Sequence, residues 1–155
     1  MRYLIPLTIL AALGTAALGT SAAATGDDDE KRIRQHIERY YFDGVRNSDT
    51  AAAHKAFHQV AVMYSVRDGA LAQRTIPDWL GAIAERAPNP PRPDAVKRTI
   101  VMVDVSGNAA VAKLELESPE ATITDYMSLL KVNGDWTVVG KIFNRRTVGT
   151  QAAGR

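Results

Sequence analysis

No cysteine occurs among the 155 residues, which excludes a disulfide framework, a thiol nucleophile and a thiolate-ligated metal. The fold has to rest on packing alone. A strong charge of one sign is also missing: 19 Lys and Arg against 17 Asp and Glu leave a formal +2. Such a balance is not the electrostatic footprint of a nucleic-acid binder. The small basic groups Arg145-Arg146 and Arg86…Arg92 read as solvated surface. There is no serine-hydrolase elbow, no glycine-rich phosphate loop and no internal repeat.

One long apolar run is present, at the N-terminus. Met1-Arg2 gives a short positive start, and Tyr3–Leu18 is interrupted only by Pro6, Thr8, Gly14 and Thr15. Ser21-Ala22-Ala23-Ala24 then supplies the small residues that signal peptidase accepts. The expectation is a signal peptide over residues 1–24, cleaved after Ala24, and export to the periplasm or beyond. The run is short for a membrane-spanning helix. A retained anchor is the alternative; no cysteine follows to carry a lipid.

The remaining chain suffices for one domain, expected over residues 25–146, with a flexible tail over 147–155. Asp27-Asp28-Asp29-Glu30 suits the positive end of a helix dipole. Ile33, Ile37, Tyr40, Tyr41 and Gly44 follow at helical spacing, so Glu30–Arg46 reads as an amphipathic helix. Asn47-Ser48-Asp49 breaks it, and Asp49 can cap a second helix reaching Phe57. Short strands are expected at Ala61–Val66 and Ala70–Arg74, around an Asp68-Gly69 turn. Thr75-Ile76-Pro77-Asp78 starts a third helix, and Pro88–Pro93 ends it in an extended loop.

Four longer strands complete the domain. Val96–Val105 is expected to place Ile100 and Met102 on one face. Ala109–Glu117 alternates strictly, Ala112, Leu114 and Leu116 opposing Val111, Lys113, Glu115 and Glu117. Asn133-Gly134 between two apolar-rich runs is the strongest short-range hairpin signal in the chain. The order α-α-β-β-α-β-β-β-β argues for an α+β fold with helices on one face of a curved antiparallel sheet.

Several segments carry a family resemblance when taken together. They are Tyr41-Phe42-Asp43-Gly44-Val45, Ser48-Asp49, Ala56-Phe57-His58, Asp68-Gly69, Val103-Asp104-Val105, Ala110–Lys113, Thr124-Asp125-Tyr126, and Gly134…Trp136…Lys141…Phe143. In this order the chain resembles the small bacterial proteins called putative lumazine-binding proteins, of the nuclear transport factor 2-like (cone, SnoaL-like) superfamily. One departure is Gln59-Val60, where relatives tend to carry a Pro-Asp pair. The resemblance implies a bent sheet wrapped on three helices, one concave pocket, and a homodimer through the outer sheet face. It names no ligand.

Candidate site residues follow from that pocket. Tyr40, Tyr41, Phe57, Tyr64, Trp79, Tyr126, Ser128 and Trp136 are the expected lining, each also explicable as packing. Asp125 and Tyr126 are strand neighbours, so only one can enter the pocket. Tyr126, in phase with Ser128 and Leu130, is expected on the concave side, and Asp125 at the rim or paired with Lys141. His54 and His58 are spaced to share a helix face, but Lys55 stands where a metalloprotease has Glu, and no metal site is expected.

Within the superfamily, a ketosteroid isomerase needs carboxyl groups at positions that match Ser65 and Ser128 here, so that chemistry is disfavoured. A scytalone-type dehydratase would draw on Tyr40, Tyr64 and His58. The reading with most support is an exported, non-catalytic cone that binds a small apolar or aromatic ligand without a cofactor. The alternatives are a lyase- or isomerase-like enzyme using pocket Tyr and His, and a protein-interaction subunit.

Overall fold

The computed structural model describes residues 26–85 and 95–148. The expected signal peptide, the Pro88–Pro93 loop and the tail beyond Val148 lie outside the described residues. Helix α1 (Gly26–His36) runs through a π-helical stretch, Ile37–Phe42, into α2 (Asp43–Arg46), forming one long helix. It starts earlier than expected because Asp27, Asp28 and Asp29 all fit its first turn. The wider π turn lets Ile37, Tyr41 and Phe42 all bury.

Helix α3 (Thr50–His54) is capped by Asp49, whose Oδ1 accepts from the Ala52 amide at 2.9 Å. It is shorter than expected: Phe57 already belongs to strand β1 (Phe57–Arg67). Gly44 makes this corner possible. A Cβ there would lie 2.6–2.9 Å from backbone and side-chain atoms of Ala53. Helix α4 (Ile76–Glu85) follows strand β2 (Ala70–Thr75) and is capped by Thr75 Oγ1, which accepts from the Asp78 amide at 3.2 Å.

The remaining strands are β3 (Lys97–Ser106), β4 (Ala109–Glu117), β5 (Ala121–Val132) and β6 (Asp135–Thr147). They form one six-stranded sheet in the order β2-β1-β6-β5-β4-β3. All pairings are antiparallel except β1 with β6, which run parallel. Asn133 and Gly134 both take positive φ, 52° and 89°, as a tight two-residue hairpin requires. Thr147 still pairs with Ala121, so β6 continues into the stretch expected to be tail.

Breaks in register interrupt β1, β3 and the β5–β6 pair. Each bulge adds local twist and bends the sheet over the helices. The break between Ile100 and Met102 also corrects an expectation: Ile100 packs against the core while Met102 is exposed on the other face. One core fills the concave side. Ile33 and Ile37 of the first helix meet Ala112, Leu114, Met127, Leu129 and Val138 of the sheet. Among the described residues no helix is long and apolar enough to cross a membrane.

Candidate functional site

The strand phase decides which side chains enter the cone. On β5, Asp125, Met127 and Leu129 are buried beneath the helices. Tyr126 is 47% exposed, and Ser128 and Leu130 share its outward face. The expected placement of Tyr126 and Ser128 on the concave side is therefore reversed. The reason is chemical: the outward phase exposes one hydroxyl and one phenol, while the inward phase buries Met127 and Leu129. The same phase carries Asp125 inward, and it finds partners.

Those partners come from two other elements. Tyr41 of the π-helical stretch donates its hydroxyl proton to Asp125 Oδ2 at 2.6 Å. Lys141 of β6 donates to the Tyr41 hydroxyl oxygen at 3.0 Å, and its Nζ lies 3.1 Å from Asp125 Oδ1. That last contact is an ion pair, since Oδ1 has no well-aligned hydrogen bond. Asp125 is 0% exposed and Lys141 5%. The expectation that Asp125 pairs with Lys141 holds, but in the core instead of at a rim.

Three further rings, Trp79, Phe57 and Phe143, surround the trio. Lys141 Nζ stands 5.2 Å from the Tyr41 ring centroid, 5.3 Å from Trp79 and 5.0 Å from Phe143. These are cation–π distances, and they supply part of the solvation the buried ammonium has lost. Tyr41 stacks on Trp79 at 5.8 Å, and Phe57 meets both edge-on. Burial pushes the Tyr41 phenol well above its ordinary range, and the neighbouring Asp125 carboxylate adds to that. Burial also lowers the Lys141 ammonium, with Asp125 opposing the shift.

Above this layer lies a cavity of about 320 Å³ between α4 and the sheet. Its apolar wall is Met63, Trp79, Ile83, Ile123 and Phe143. Arg67, Arg74 and Arg145 also line it, as does Ser65. Trp79 and Phe143 thus serve two surfaces, covering Lys141 below and facing the cavity above. Tyr41 and Phe57 lie in the packed layer underneath.

The other expected lining residues lie elsewhere. Tyr64, Tyr126 and Ser128 border a groove of about 400 Å³ on the helix-free face of the sheet. Tyr40 and Trp136 border a third space of about 380 Å³ with Arg32 and His36. Trp136 is held there by Asp29, whose carboxylate accepts its Nε1–H at 3.0 Å and Lys131 Nζ at 2.9 Å. These hydrogen bonds hold the Asp29 carboxyl below its ordinary range. His36 is half-buried with Nε2 3.0 Å from the Ala56 carbonyl, and burial lowers its pKa.

Tyr40, Tyr64 and His58 therefore do not converge. His54 ends α3 while His58 lies on β1, so the two histidines do not share a helix face. Sequence reasoning offered Lys141 as a partner for Asp125 but missed Tyr41 as the third member of the grouping. Its one legible signal was a carboxylate and an amine in facing strands of a hairpin. The phenol comes from 84 positions away and leaves no local trace.

The sequence profile of the family described as Putative lumazine-binding matches residues 28–144. A solved NTF2-like protein of unknown function from Shewanella baltica OS155 is 28% identical. The match covers 79% of this chain and 97% of that one, with a TM-score of 0.71. An NTF2-like protein of unknown function from Methylobacillus flagellatus KT is 25% identical over 80% and 97% of the two chains, at a TM-score of 0.68. Among curated proteins, the aldolase FrzH of a Cladobotryum species is 24% identical over 106 residues, which is 67% of this chain and 82% of that protein.

Proposed function

The chain belongs to the Putative lumazine-binding family, with the nuclear transport factor 2-like cone, and on that premise we propose that it is an exported, non-catalytic binder of one small apolar or aromatic ligand. The cavity of about 320 Å³ against Trp79, Ile83 and Phe143 carries this reading. It is the concave, ring-lined space that such ligands fill. The Tyr41–Asp125–Lys141 trio lies beneath Trp79 and Phe143, its polar groups turned to one another, so the apolar wall is left to the ligand.

A second copy of the chain is the proposed partner. Val66, Leu71, Met102, Val111, Tyr126 and Ile142 are large side chains exposed on the helix-free face. A self-complementary apolar patch of this kind supports a two-fold dimer. Light scattering that returns a dimer mass for the wild type and a monomer mass for Ile142→Asp supports it, and a wild-type monomer refutes it.

A second reading is favoured by the buried amine of Lys141. Lysine amines of lowered pKa form Schiff bases with carbonyl compounds, and one similar protein bears the name aldolase. Reduction with cyanoborohydride in the presence of a small aldehyde, followed by mass mapping, tests it. Adduct at Lys141 would favour the enzyme.

The primary test is native mass spectrometry of the protein purified from its own cells, with release of anything bound. A defined small molecule at one per subunit, lost in Ile83→Trp, supports binding in the cone. A chain that begins at Thr25 supports export. An empty protein that also takes up no aromatic probe refutes the binding reading.

A further inference from the structure

We propose that the cone selects an anion: a compact apolar ligand that carries a carboxylate or an equivalent single negative group, oriented by arginines at the mouth. The inference rests on the binding reading above and specifies its ligand class.

Sheet register builds the arginine row. Arg98 of β3 pairs with Leu116, Leu116 with Ile123, and Ile123 with Arg145. Residues that pair across a sheet share a face. Arg98 and Arg145 therefore stand on the same concave face, separated by two apolar side chains. The same rule adds Arg74, which pairs with Met63, a buried residue of that face. Arg67 lies two and four positions beyond Ser65 and Met63 on β1, and so in phase with them.

Three of these arginines, Arg67, Arg74 and Arg145, line the cavity itself. No Asp or Glu among the described residues lines it. Among the described residues none of the three arginines forms a salt bridge. The fourth, Arg98, gives one N–H to the Val96 carbonyl at 3.0 Å, while its buried Nε has no partner among the described residues. Surface arginines elsewhere on the molecule do pair, as Arg34 does with Glu30 and Arg46 with Asp43. Among the described residues, three arginines therefore stand without a paired carboxylate around a cavity whose wall holds Trp79 and Phe143.

The floor beneath explains why the anion stays at the mouth. Lys141 lies beneath, but it is committed to Asp125 and covered by Trp79 and Phe143. A ligand lying on those two rings with its charge turned outward meets guanidinium groups, whose planar forks match carboxylate geometry. The aromatic wall receives the apolar body and the mouth receives the charge.

The test uses two probes of one shape: 2-naphthoate and its uncharged methyl ester, titrated by calorimetry into the full-length protein. The expected result is binding of naphthoate about tenfold tighter than the ester, the worth of one charge-assisted contact. Arg67→Gln with Arg145→Gln should weaken naphthoate binding more than ester binding and so remove that preference. Lys113→Gln, on the outer face, should change neither. Equal affinities for the two probes in the wild type overturn the anion inference while the cone still binds. A preference that survives the double arginine variant overturns it as well. Failure of both probes refutes the binding reading and the inference with it.

Discussion

Tyr41 and Asp125 are joined by a 2.6 Å hydrogen bond inside the core, although 84 positions separate them in the chain. The bond ties the long helix to the centre of the sheet. It also lets an aspartate face the same interior as Met127 and Leu129. Lys141 closes the set, so the helix, β5 and β6 each contribute one polar group.

Breaking one side of this set should cost more than removing both charges. Asp125→Ala leaves the Lys141 ammonium buried without its counter-ion, and a loss of about 3–5 kcal/mol is expected. Asp125→Leu with Lys141→Met removes both charges and should cost less than the sum of the single changes. Urea unfolding of the wild type, Asp125→Leu, Lys141→Met and the double variant checks this, with Asp125→Ala measured beside them. Additive losses would show that the two charges do not support each other.

Tyr41→Phe keeps the stack on Trp79 but deletes the hydroxyl between carboxylate and amine. The expected loss is about 1.5–3 kcal/mol, the range for a hydrogen bond to a charged group. The phenol also carries a pH signature. Its folded pKa is raised above the ordinary value of 10.0, so its stabilising effect is complete below pH 10 and is lost as pH climbs beyond it. Wild-type stability should fall more steeply than that of Tyr41→Phe above pH 10, measured by urea unfolding at successive pH values.

His36 acts at the other end of the pH scale. Burial lowers its folded pKa below the ordinary 6.5. The fold thus favours the neutral ring, and the stability it contributes is present above pH 6.5 and lost as pH falls through the folded value. His36→Gln should flatten the decline in thermal stability across that window. An unchanged slope would assign the decline to other groups.

Gly44→Ala tests the corner between α2 and α3. The added methyl meets Ala53 backbone at 2.6 Å, closer than a Cβ can approach. Either the helices separate or the strand entry at Phe57 shifts, at an expected cost of about 1–3 kcal/mol. Gly81→Ala, where nothing lies within 4 Å, is the control and should be neutral or slightly stabilising.

Element order and turns were legible because their signals are local. Asp49 and Thr75 cap the helices read from them, and Asn133-Gly134 makes the hairpin its sequence announces. The phase of β5 was not legible. Asp125-Met127-Leu129 and Tyr126-Ser128-Leu130 are both plausible inward sets until Tyr41 and Lys141 are in place. Bulges defeated the period-two reading of β3, since one extra residue exchanges the faces of Ile100 and Met102. Trp136 was legible as packing, but not its bond to Asp29, which comes from the far end of the chain.

The parallel pairing of β1 with β6 has a kinetic consequence. β6 follows the other five strands of this sheet in the chain, yet it lies between β1 and β5 near the middle of the sheet. The early hairpin of β1 and β2 has no other neighbour to complete it. Closing so long a stretch of chain carries its entropic cost before any contact repays it. A nascent chain that ends short of β6 can form its helices and local hairpins, but it cannot bury Met63 or the Tyr41 ring against Lys141. Assembly of the cone waits for β6.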